Sequence, residues 1–204
     1  MKRGHLNCRA PVVLRADTGE VLAMDVARWH AEASPDEQAL LDTVDGPVID
    51  VGCGPGRIVA SLARRGVAAL GVDSSPTAVA LARQSGAAVL ERDVFQRLPG
   101  EGRWATALLF DGNIGIGGDP VKLLRRCRQL TGARGRVIAE VDAPGAGCRT
   151  LSAWLERDGD RSPTFAWAIV GADAVDRLAR AAGFRLSYLA ATSSGRWFAH
   201  LAAA

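Results

Sequence analysis

The chain has 204 residues, of which 48% are hydrophobic and 23% charged, and its formal net charge at pH 7 is +3. This composition is typical of one globular domain with a full core, so disorder, collagen-like repeats and coiled coil are excluded as the main state. The basic N-terminus lacks an apolar signal region, and no run of apolar residues is long enough for a membrane helix. We therefore expect a cytoplasmic protein without a membrane segment.

The positive charge and the cysteines show no sign of a nucleic-acid or metal site. The densest basic cluster, Arg125-Arg126-Cys127-Arg128, has no interleaved aromatic residues and is typical of a solvated helix face. The four cysteines form no CxxC pair, and only three histidines accompany them. We expect free thiols, no metal and no nucleic-acid partner.

Residues 1–46 are predicted to form a hairpin and a helix that lie over the functional site. Two apolar runs within 11–26 flank Asp17-Thr18-Gly19, which is typical of a hairpin turn. Ser34, Pro35 and Glu37 have the spacing of a helix N-terminus, and Gly46-Pro47 ends that helix.

From residue 48 onward, short apolar strands alternate with helices. Helices are expected to begin near Arg57, Ser75 and Asp119, and the strands are expected at 48–51, 67–72, 87–90, 104–110 and 136–141. Such alternation gives right-handed βαβ units, and strands that are apolar throughout are covered by helices on both faces. Residues 47–142 therefore predict a doubly wound, Rossmann-like parallel sheet that forms the cofactor-binding core.

The C-terminal part departs from this alternation. Residues 144–171 are predicted to form an inserted hairpin, with strands at 151–156 and 164–170. Residues 172–204 are predicted to hold a helix and a second hairpin. Taken together, 1–204 predict a single α/β domain with a seven-stranded, mostly parallel sheet and an antiparallel C-terminal hairpin strand.

Three signals fall at the carboxyl ends of predicted strands, where ligands of open α/β sheets bind. Gly52, Gly54 and Gly56 lie between a buried strand and a helix, an arrangement whose backbone amides favour a ligand with a phosphate or carboxylate. Asp73 ends the second strand and can accept hydrogen bonds from both hydroxyls of a ribose, although an acid there also suits a helix cap. Asp93 lies at the exit of the third strand, at the same sheet edge.

These segments resemble the class I S-adenosylmethionine-dependent methyltransferases, over residues 34–204. The segment from Asp50 to Gly56 resembles the first motif of that family, and Gly71-Val72-Asp73-Ser74-Ser75 resembles its ribose-binding segment. Arg92-Asp93-Val94 is similar to the segment that meets the adenine, and the terminal hairpin is similar to the family's antiparallel strand.

The resemblance implies S-adenosylmethionine as the cofactor. The three glycines would run along its methionine portion, and Asp50 would help to orient the amino group. Asp73 would hold the ribose, and Asp93 with Val94 the adenine. Within the same segments, the resemblance also implies cofactor contacts at Cys53, Ser74 and Phe110.

The loop at 110–120 would border the transferred methyl group in such an enzyme. It lacks the Asn/Asp-Pro-Pro-Tyr type of motif, which argues against methylation of nucleic-acid bases or protein amides. Asp111 and Asn113 are the candidate catalytic groups; the alternative is that Asp111 orders the turn and Asn113 takes a left-handed conformation. His30 is the candidate base, because imidazole suits proton transfer near neutral pH, and a surface role is its alternative.

Selection of the acceptor is expected to come from the parts added to the sheet. Trp154, Phe165 and Trp167 in the inserted hairpin would form an aromatic wall over a small apolar substrate. Their alternative role is a seam against the sheet, or against a second subunit in a homodimer. Because the chain has no separate substrate domain, the sequence predicts a small-molecule acceptor.

Two other functions stay open at this point. A non-catalytic module that binds S-adenosylmethionine fits the absence of an obvious base. A nicotinamide-dependent oxidoreductase fits the acid at Asp73, since the GxGxxG fingerprint is also followed by an acid. Asp50, the closer glycine spacing, Asp93 and the terminal hairpin favour the methyltransferase.

Overall fold

The computed structural model describes residues 12–23 and 25–204. Its strands are β1 (Val13–Ala16), β2 (Val21–Ala23), β3 (Val48–Val51), β4 (Ala69–Asp73), β5 (Val89–Glu91), β6 (Thr106–Leu109), β7 (Arg136–Val141), β8 (Cys148–Arg157), β9 (Asp160–Arg161), β10 (Phe165–Val170), β11 (Phe184–Ala191) and β12 (Trp197–Ala203). Its helices are α1 (Val26–His30), α2 (Pro35–Leu41), α3 (Arg57–Arg64), α4 (Pro76–Gln84), α5 (Pro120–Thr131) and α6 (Val175–Ala181), and a 3-10 turn spans Asn113–Gly115.

The main sheet has seven strands in the order β11-β12-β7-β6-β3-β4-β5. The five strands from β7 to β5 pair in parallel, whereas β12 is antiparallel to both β7 and β11. The predicted α/β class and the antiparallel C-terminal hairpin are therefore confirmed. The chain runs outward from β3 to β5 and returns to the other side of β3 as β6, which opens a crevice at the carboxyl end of β3.

Helices cover both faces of the main sheet because successive strand residues point to opposite sides. On one face Val48 and Leu108 pack with Ile58 of α3, Leu41 of α2 and Phe198 of β12. The opposite face packs against α5 and α6, through Ile49, Leu109, Leu123 and Leu178 among others. Strands buried on both faces explain the continuous apolar runs in the sequence.

A second, small sheet joins two segments that the sequence predicts as separate hairpins. Its order is β10-β8-β1-β2, with β9 paired to β8. The contact between the two hairpins is antiparallel pairing of β1 with β8, in which Arg15 lies opposite Trp154. The ten residues of β8 offer a long edge, and β1 covers it. Residue 11, the predicted start of the first hairpin, lies outside the described residues.

The N-terminal helix has the predicted start. The Ser34 hydroxyl accepts a hydrogen bond from the Glu37 backbone amide at 3.3 Å, and the Glu37 carboxylate accepts one from the Ser34 amide at 2.8 Å. These reciprocal bonds form a capping box. The short helix α1, which begins after Asp25 and contains Trp29 and His30, was not predicted from the sequence.

Candidate functional site

The glycine loop between β3 and α3 has the backbone conformation that its sequence predicts. Gly52, Gly54 and Gly56 have φ angles of 73°, 53° and 85°, a left-handed region that glycine occupies at little cost. A Cβ added to Gly54 would meet nothing within 4 Å, so the space over this residue is open. Helix α3 starts at Arg57 without a side-chain cap, which leaves its first backbone amides directed at the same crevice.

Asp73 lies beside this loop. One oxygen of its carboxylate accepts a hydrogen bond from the Gly54 amide at 2.8 Å, and the other accepts one from the Ser75 amide at 2.8 Å. The predicted ribose acid and the glycine loop are thus in contact, although they are 19 residues apart in the chain. The hydroxyl of Ser75 caps α4 by accepting from the Ala78 amide at 3.3 Å, so that cap is separate from Asp73.

Asp50 is the buried carboxyl of the site, with 2% of its surface exposed. Burial, together with the negative charges of the nearby Asp111, Asp73 and Glu37 carboxylates, raises its pKa from 3.8 to about 7. Arg57 opposes this rise, but its guanidinium donates its hydrogen bonds to Glu37 and Asp111. Asp50 therefore favours a cationic ligand group, which would stabilise the ionised carboxylate.

Asp93 and Val94 follow β5 at the same sheet edge. The exposed Asp93 carboxylate accepts a hydrogen bond from the Phe95 amide at 2.9 Å. Arg126 of α5 holds the segment from below, because its guanidinium donates to the Val94 carbonyl at 2.8 Å and to the Gln96 carbonyl at 2.6 Å. The exposed Asp93 carboxylate could accept a hydrogen bond from the edge of a flat ring, and the buried Val94 could pack against its face.

The remaining sequence candidates differ in where their side chains lie. Ser74 is exposed at the end of β4. The side chain of Cys53 packs with Val59 of α3 in a small core cluster, and burial raises the pKa of its thiol. Phe110 is 1% exposed and packs edge-on against Phe198 with the ring centroids 5.2 Å apart. Cys53 and Phe110 therefore offer the crevice their backbone atoms rather than their side chains.

The loop after β6 contains the two candidate catalytic residues, and one backbone expectation for it is wrong. Asp111, not Asn113, is the left-handed residue, with φ of 55°. Asn113 lies in the 3-10 turn, and its side-chain amide donates hydrogen bonds to the carbonyls of Val51 at 3.0 Å and Gly52 at 2.8 Å. Asn113 thereby ties this loop to the glycine loop, a contact that requires Gly52, because a Cβ there would lie 2.6 Å from the amide nitrogen.

Asp111 belongs to a network of five charged side chains that was not predicted from the sequence. We call it the charge circuit: Glu37, Arg57, Asp111, Glu140 and Arg196. Arg57 donates to Glu37 at 2.5 Å and to Asp111 at 2.6 Å. Arg196 donates to Glu37 at 2.6 Å and with two nitrogens to Glu140 at 2.7 and 2.6 Å. The Asp111 backbone amide closes the circuit by donating to Glu140 at 2.6 Å.

The charges in the circuit shift the ionisation of its members. Burial raises the pKa of Asp111, and the negative charge of Glu140 adds to this rise, against the attraction of Arg57. For Glu37 the hydrogen bonds from Arg57 and Ser34 outweigh its burial and lower its pKa. The Oδ1 atom of Asp111 has no hydrogen-bond donor among the described residues, and it lies 3.6 Å from Arg196 and 3.8 Å from Arg28 of α1.

The glycines at 115 and 118 allow the small sheet to approach the loop after β6. Ile116 forms an isolated antiparallel bridge with Trp167 of β10, and the Trp167 ring lies 3.0 Å from where a Gly115 Cβ would stand. A Cβ on Gly118 would lie 2.9 Å from Ala166. These glycines therefore serve close packing, and Trp167 borders the loop as the predicted aromatic wall requires. Trp154, by contrast, stacks on Arg161 at 3.8 Å.

His30 is exposed at the end of α1. Together with Trp29 it lines a cleft of about 260 Å³ that also includes Pro55 of the glycine loop and Arg57. The structure thus brings His30 to the rim of the site, whereas Asp111 and Asn113 lie next to one another within it. Across residues 12–23 and 25–204, no cluster of three or more metal-ligating side chains is present, and no helix is long and apolar enough to span a bilayer.

Comparison with known proteins identifies this arrangement. Residues 48–135 match the family described as a methyltransferase domain. No curated protein matches the sequence of the chain.

Three solved structures share the fold at low sequence identity. A SAM-dependent methyltransferase from Bacteroides fragilis, solved with S-adenosyl-L-homocysteine, has a TM-score of 0.78 and 17% identity over 98% of this chain and 90% of that one. The 1,6-didemethyltoxoflavin-N1-methyltransferase of Burkholderia thailandensis has a TM-score of 0.63 and 21% identity over 88% and 80%. The CcbJ methyltransferase of Streptomyces caelestis has a TM-score of 0.64 and 20% identity over 84% and 97%.

The fold and the glycine loop give an α/β protein with an open crevice at the carboxyl end of β3. Residues 48–135 match the methyltransferase domain, and the chain has the fold of the S-adenosylmethionine-dependent methyltransferases.

Proposed function

We propose that the protein transfers a methyl group from S-adenosylmethionine to a small-molecule acceptor. The observation that carries this proposal is the contact between the Asp73 carboxylate and the Gly54 amide at the crevice beside β3. It joins an acid suited to ribose hydroxyls with a loop whose open backbone suits an amino-acid moiety.

The described residues fit this cofactor from end to end. Gly52, Gly54 and Gly56 would lie along its methionine portion, where the space over Gly54 is open. The buried Asp50 carboxyl would face the amino group, whose positive charge compensates the cost of ionising it. Asp73 would then accept from the ribose, and Ser74 lies next to it at the surface.

The adenine would lie at the segment after β5. The exposed Asp93 carboxylate would accept from the exocyclic amine, and the buried Val94 would pack under the ring. Arg126 keeps this segment in place through its bonds to two backbone carbonyls. The backbones of Cys53 and Phe110 would complete the wall of the crevice.

When bound, the cofactor supplies an electrophilic methyl group on a sulfonium. An acceptor atom would form its bond to the methyl carbon as the carbon–sulfur bond breaks, with S-adenosylhomocysteine as the second product. Much of the acceleration in such a displacement comes from holding the two atoms close and in line. We assign the orientation of the acceptor to Asp111, and we assign to Asn113 the alignment of its loop with the glycine loop.

A small acceptor is supported by what surrounds Asp111. The small sheet packs directly on the loop after β6, so that Trp167 narrows the space beside Gly112 and Gly115. Two similar structures are named as a 1,6-didemethyltoxoflavin-N1-methyltransferase and a glycopeptide N-methyltransferase. His30 at the cleft rim is the proposed base for acceptors that must lose a proton. A cytoplasmic location and a homodimer stay predictions of the sequence.

Calorimetric titration with S-adenosylmethionine, S-adenosylhomocysteine and NADH tests the proposal. We expect S-adenosylmethionine and S-adenosylhomocysteine to bind. Asp73→Ala should lower both affinities by about 10- to 100-fold, as for lost hydrogen bonds to a charged group. Ser75→Ala is the matched control, because it removes the cap of α4 and leaves Asp73 in place. Equal losses in both variants would assign Asp73 to helix capping, and binding of NADH alone would indicate an oxidoreductase.

A further inference from the structure

The backbone conformation of Asp111 depends on contacts with other parts of the chain. Asp111 is an L-residue with φ of 55°, a conformation that a side chain disfavours. A left-handed residue at this position persists only where surrounding contacts determine it. Two of those contacts come from Glu140 of β7 and from Arg196 in the turn before β12, and both strands lie on the far side of β6 from β3.

Glu140 provides the first contact. It lies near the end of β7, and its Oε2 atom accepts the Asp111 backbone amide at 2.6 Å. A carboxylate is a stronger acceptor than a neutral oxygen, and the bond specifies the direction of the Asp111 amide. The side chain of Glu140 is only 12% exposed, so solvent does not compete for this bond.

Arg196 provides the second contact by orienting Glu140. Its guanidinium meets both Glu140 oxygens, at 2.7 and 2.6 Å, and reaches Glu37 at 2.6 Å with the remaining nitrogen. The turn that precedes Arg196 is itself anchored on α2, because Ser193 and Ser194 donate to the Asp36 carboxylate at 2.9 and 2.6 Å. The turn before Arg196 is thus fastened to α2.

We propose that Glu140 and Arg196 are positioning residues for methyl transfer: they hold Asp111 in its left-handed conformation and so set where its carboxylate stands toward the acceptor. This inference rests on the proposed function. It gives the terminal hairpin a part in the reaction besides completing the sheet. Arg57 holds the Asp111 carboxylate from the other side, so the residue is fixed at both its backbone and its side chain.

The test uses the whole protein and two readouts. The amide proton of Asp111, observed by two-dimensional NMR, reports the bond to Glu140. The affinity for S-adenosylhomocysteine, measured by calorimetry, reports the cofactor crevice. Glu140→Gln keeps an acceptor oxygen and removes the charge, and Arg196→Lys keeps the charge and removes the two-nitrogen contact. The matched control is Glu20→Gln, which breaks a similar two-nitrogen pair with Arg149 in the small sheet.

We expect the Asp111 amide proton to move upfield in Glu140→Gln and, to a smaller extent, in Arg196→Lys, with no movement in Glu20→Gln. The affinity for S-adenosylhomocysteine should change by less than about threefold in all three. An unmoved Asp111 amide in both site variants would overturn the inference, since Glu140 would then only stabilise the fold. Wild-type protein that fails to bind S-adenosylhomocysteine would refute the proposed function instead, and the amide signal would still report on Asp111.

Discussion

Replacing Asp50 by asparagine tests the electrostatics of the cofactor crevice. The asparagine side chain has nearly the same shape but no proton to lose. Asp50 is 2% exposed, and burial raises its pKa from 3.8 to about 7, with the neighbouring carboxylates adding to the rise. Because its folded-state pKa lies above the unfolded value, its contribution to stability is fully present below pH 3.8 and is lost as the pH rises to about 7.

The size of the effect follows from this rise. At about 1.4 kcal/mol for each pH unit, the whole interval corresponds to a loss of about 4 kcal/mol from this one group. Between pH 5.5 and pH 8.5 the wild type should lose about 2 kcal/mol that Asp50→Asn retains. The variant should therefore gain in relative stability as the pH rises through 7, and the gain should level off above pH 8.

Urea unfolding at several pH values between 5.5 and 8.5 measures this difference. The control is Asp45→Asn, because the Asp45 side chain is 96% exposed and meets Arg136 only at 3.8 Å. Saturating S-adenosylhomocysteine should reduce the pH dependence of the wild type, since a cationic amino group beside Asp50 lowers the cost of ionising it. Parallel stability curves for wild type and Asp50→Asn would refute the reasoning, because Asp50 would then ionise equally in the folded and unfolded states.

Three further predictions concern the glycine loop, the hairpin turn and the core. Gly52→Ala should lower the free energy of unfolding by at least about 1–2 kcal/mol and weaken the binding of S-adenosylhomocysteine. Gly195 is also left-handed but has open space around it, so the Gly195→Ala variant should bind S-adenosylhomocysteine normally in the same titration. Asp36→Asn should lower stability near neutral pH but have no effect in acid. Hydrogen bonds from Ser194 and Ser193 lower the pKa of Asp36 to about 2, so the contribution of Asp36 to stability is present above pH 3.8 and is lost as the pH falls to about 2, which acid unfolding measures. Phe198→Ala should lower the free energy of unfolding by about 3–5 kcal/mol, because the ring is fully buried against Phe110. Tyr188→Ala, which removes a half-exposed ring, should lower it by under about 1 kcal/mol, and equal losses in thermal unfolding would contradict this packing.

The cofactor crevice could be predicted from the sequence because its signals are local. Three alternating glycines after an apolar strand, and an acid at the end of the next strand, specify their own turn conformations and fall at one edge of any parallel sheet. The contact of Asp73 with Gly54 follows from this placement. The capping box of Ser34 and Glu37 was predictable for the same reason, since its partners are three residues apart.

The charge circuit was not predictable in this way, because each of its bonds joins distant parts of the chain. Arg57 and Glu37 are 20 residues apart, and Arg196 and Glu37 are 159 apart. Charged residues are usually solvated, so nothing in the sequence indicates that these five are bonded to one another. The sequence could not decide which residue of this loop is left-handed for the same reason: both Asp111 and Asn113 tolerate that conformation, and the choice of Asp111 depends on Glu140 and Arg57.

The sequence by itself determined the α/β class, the alternation of strands and helices from β3 to β7, and the glycine loop after β3, because periodicity and turn chemistry act over a few residues. Only the tertiary structure decided that β1 pairs with β8 and that Asn113 ties two loops together. It alone also decided that the terminal hairpin reaches Asp111 through Arg196 and Glu140. These contacts depend on which surfaces meet when the sheet closes, and side chains far apart in the chain become partners only then.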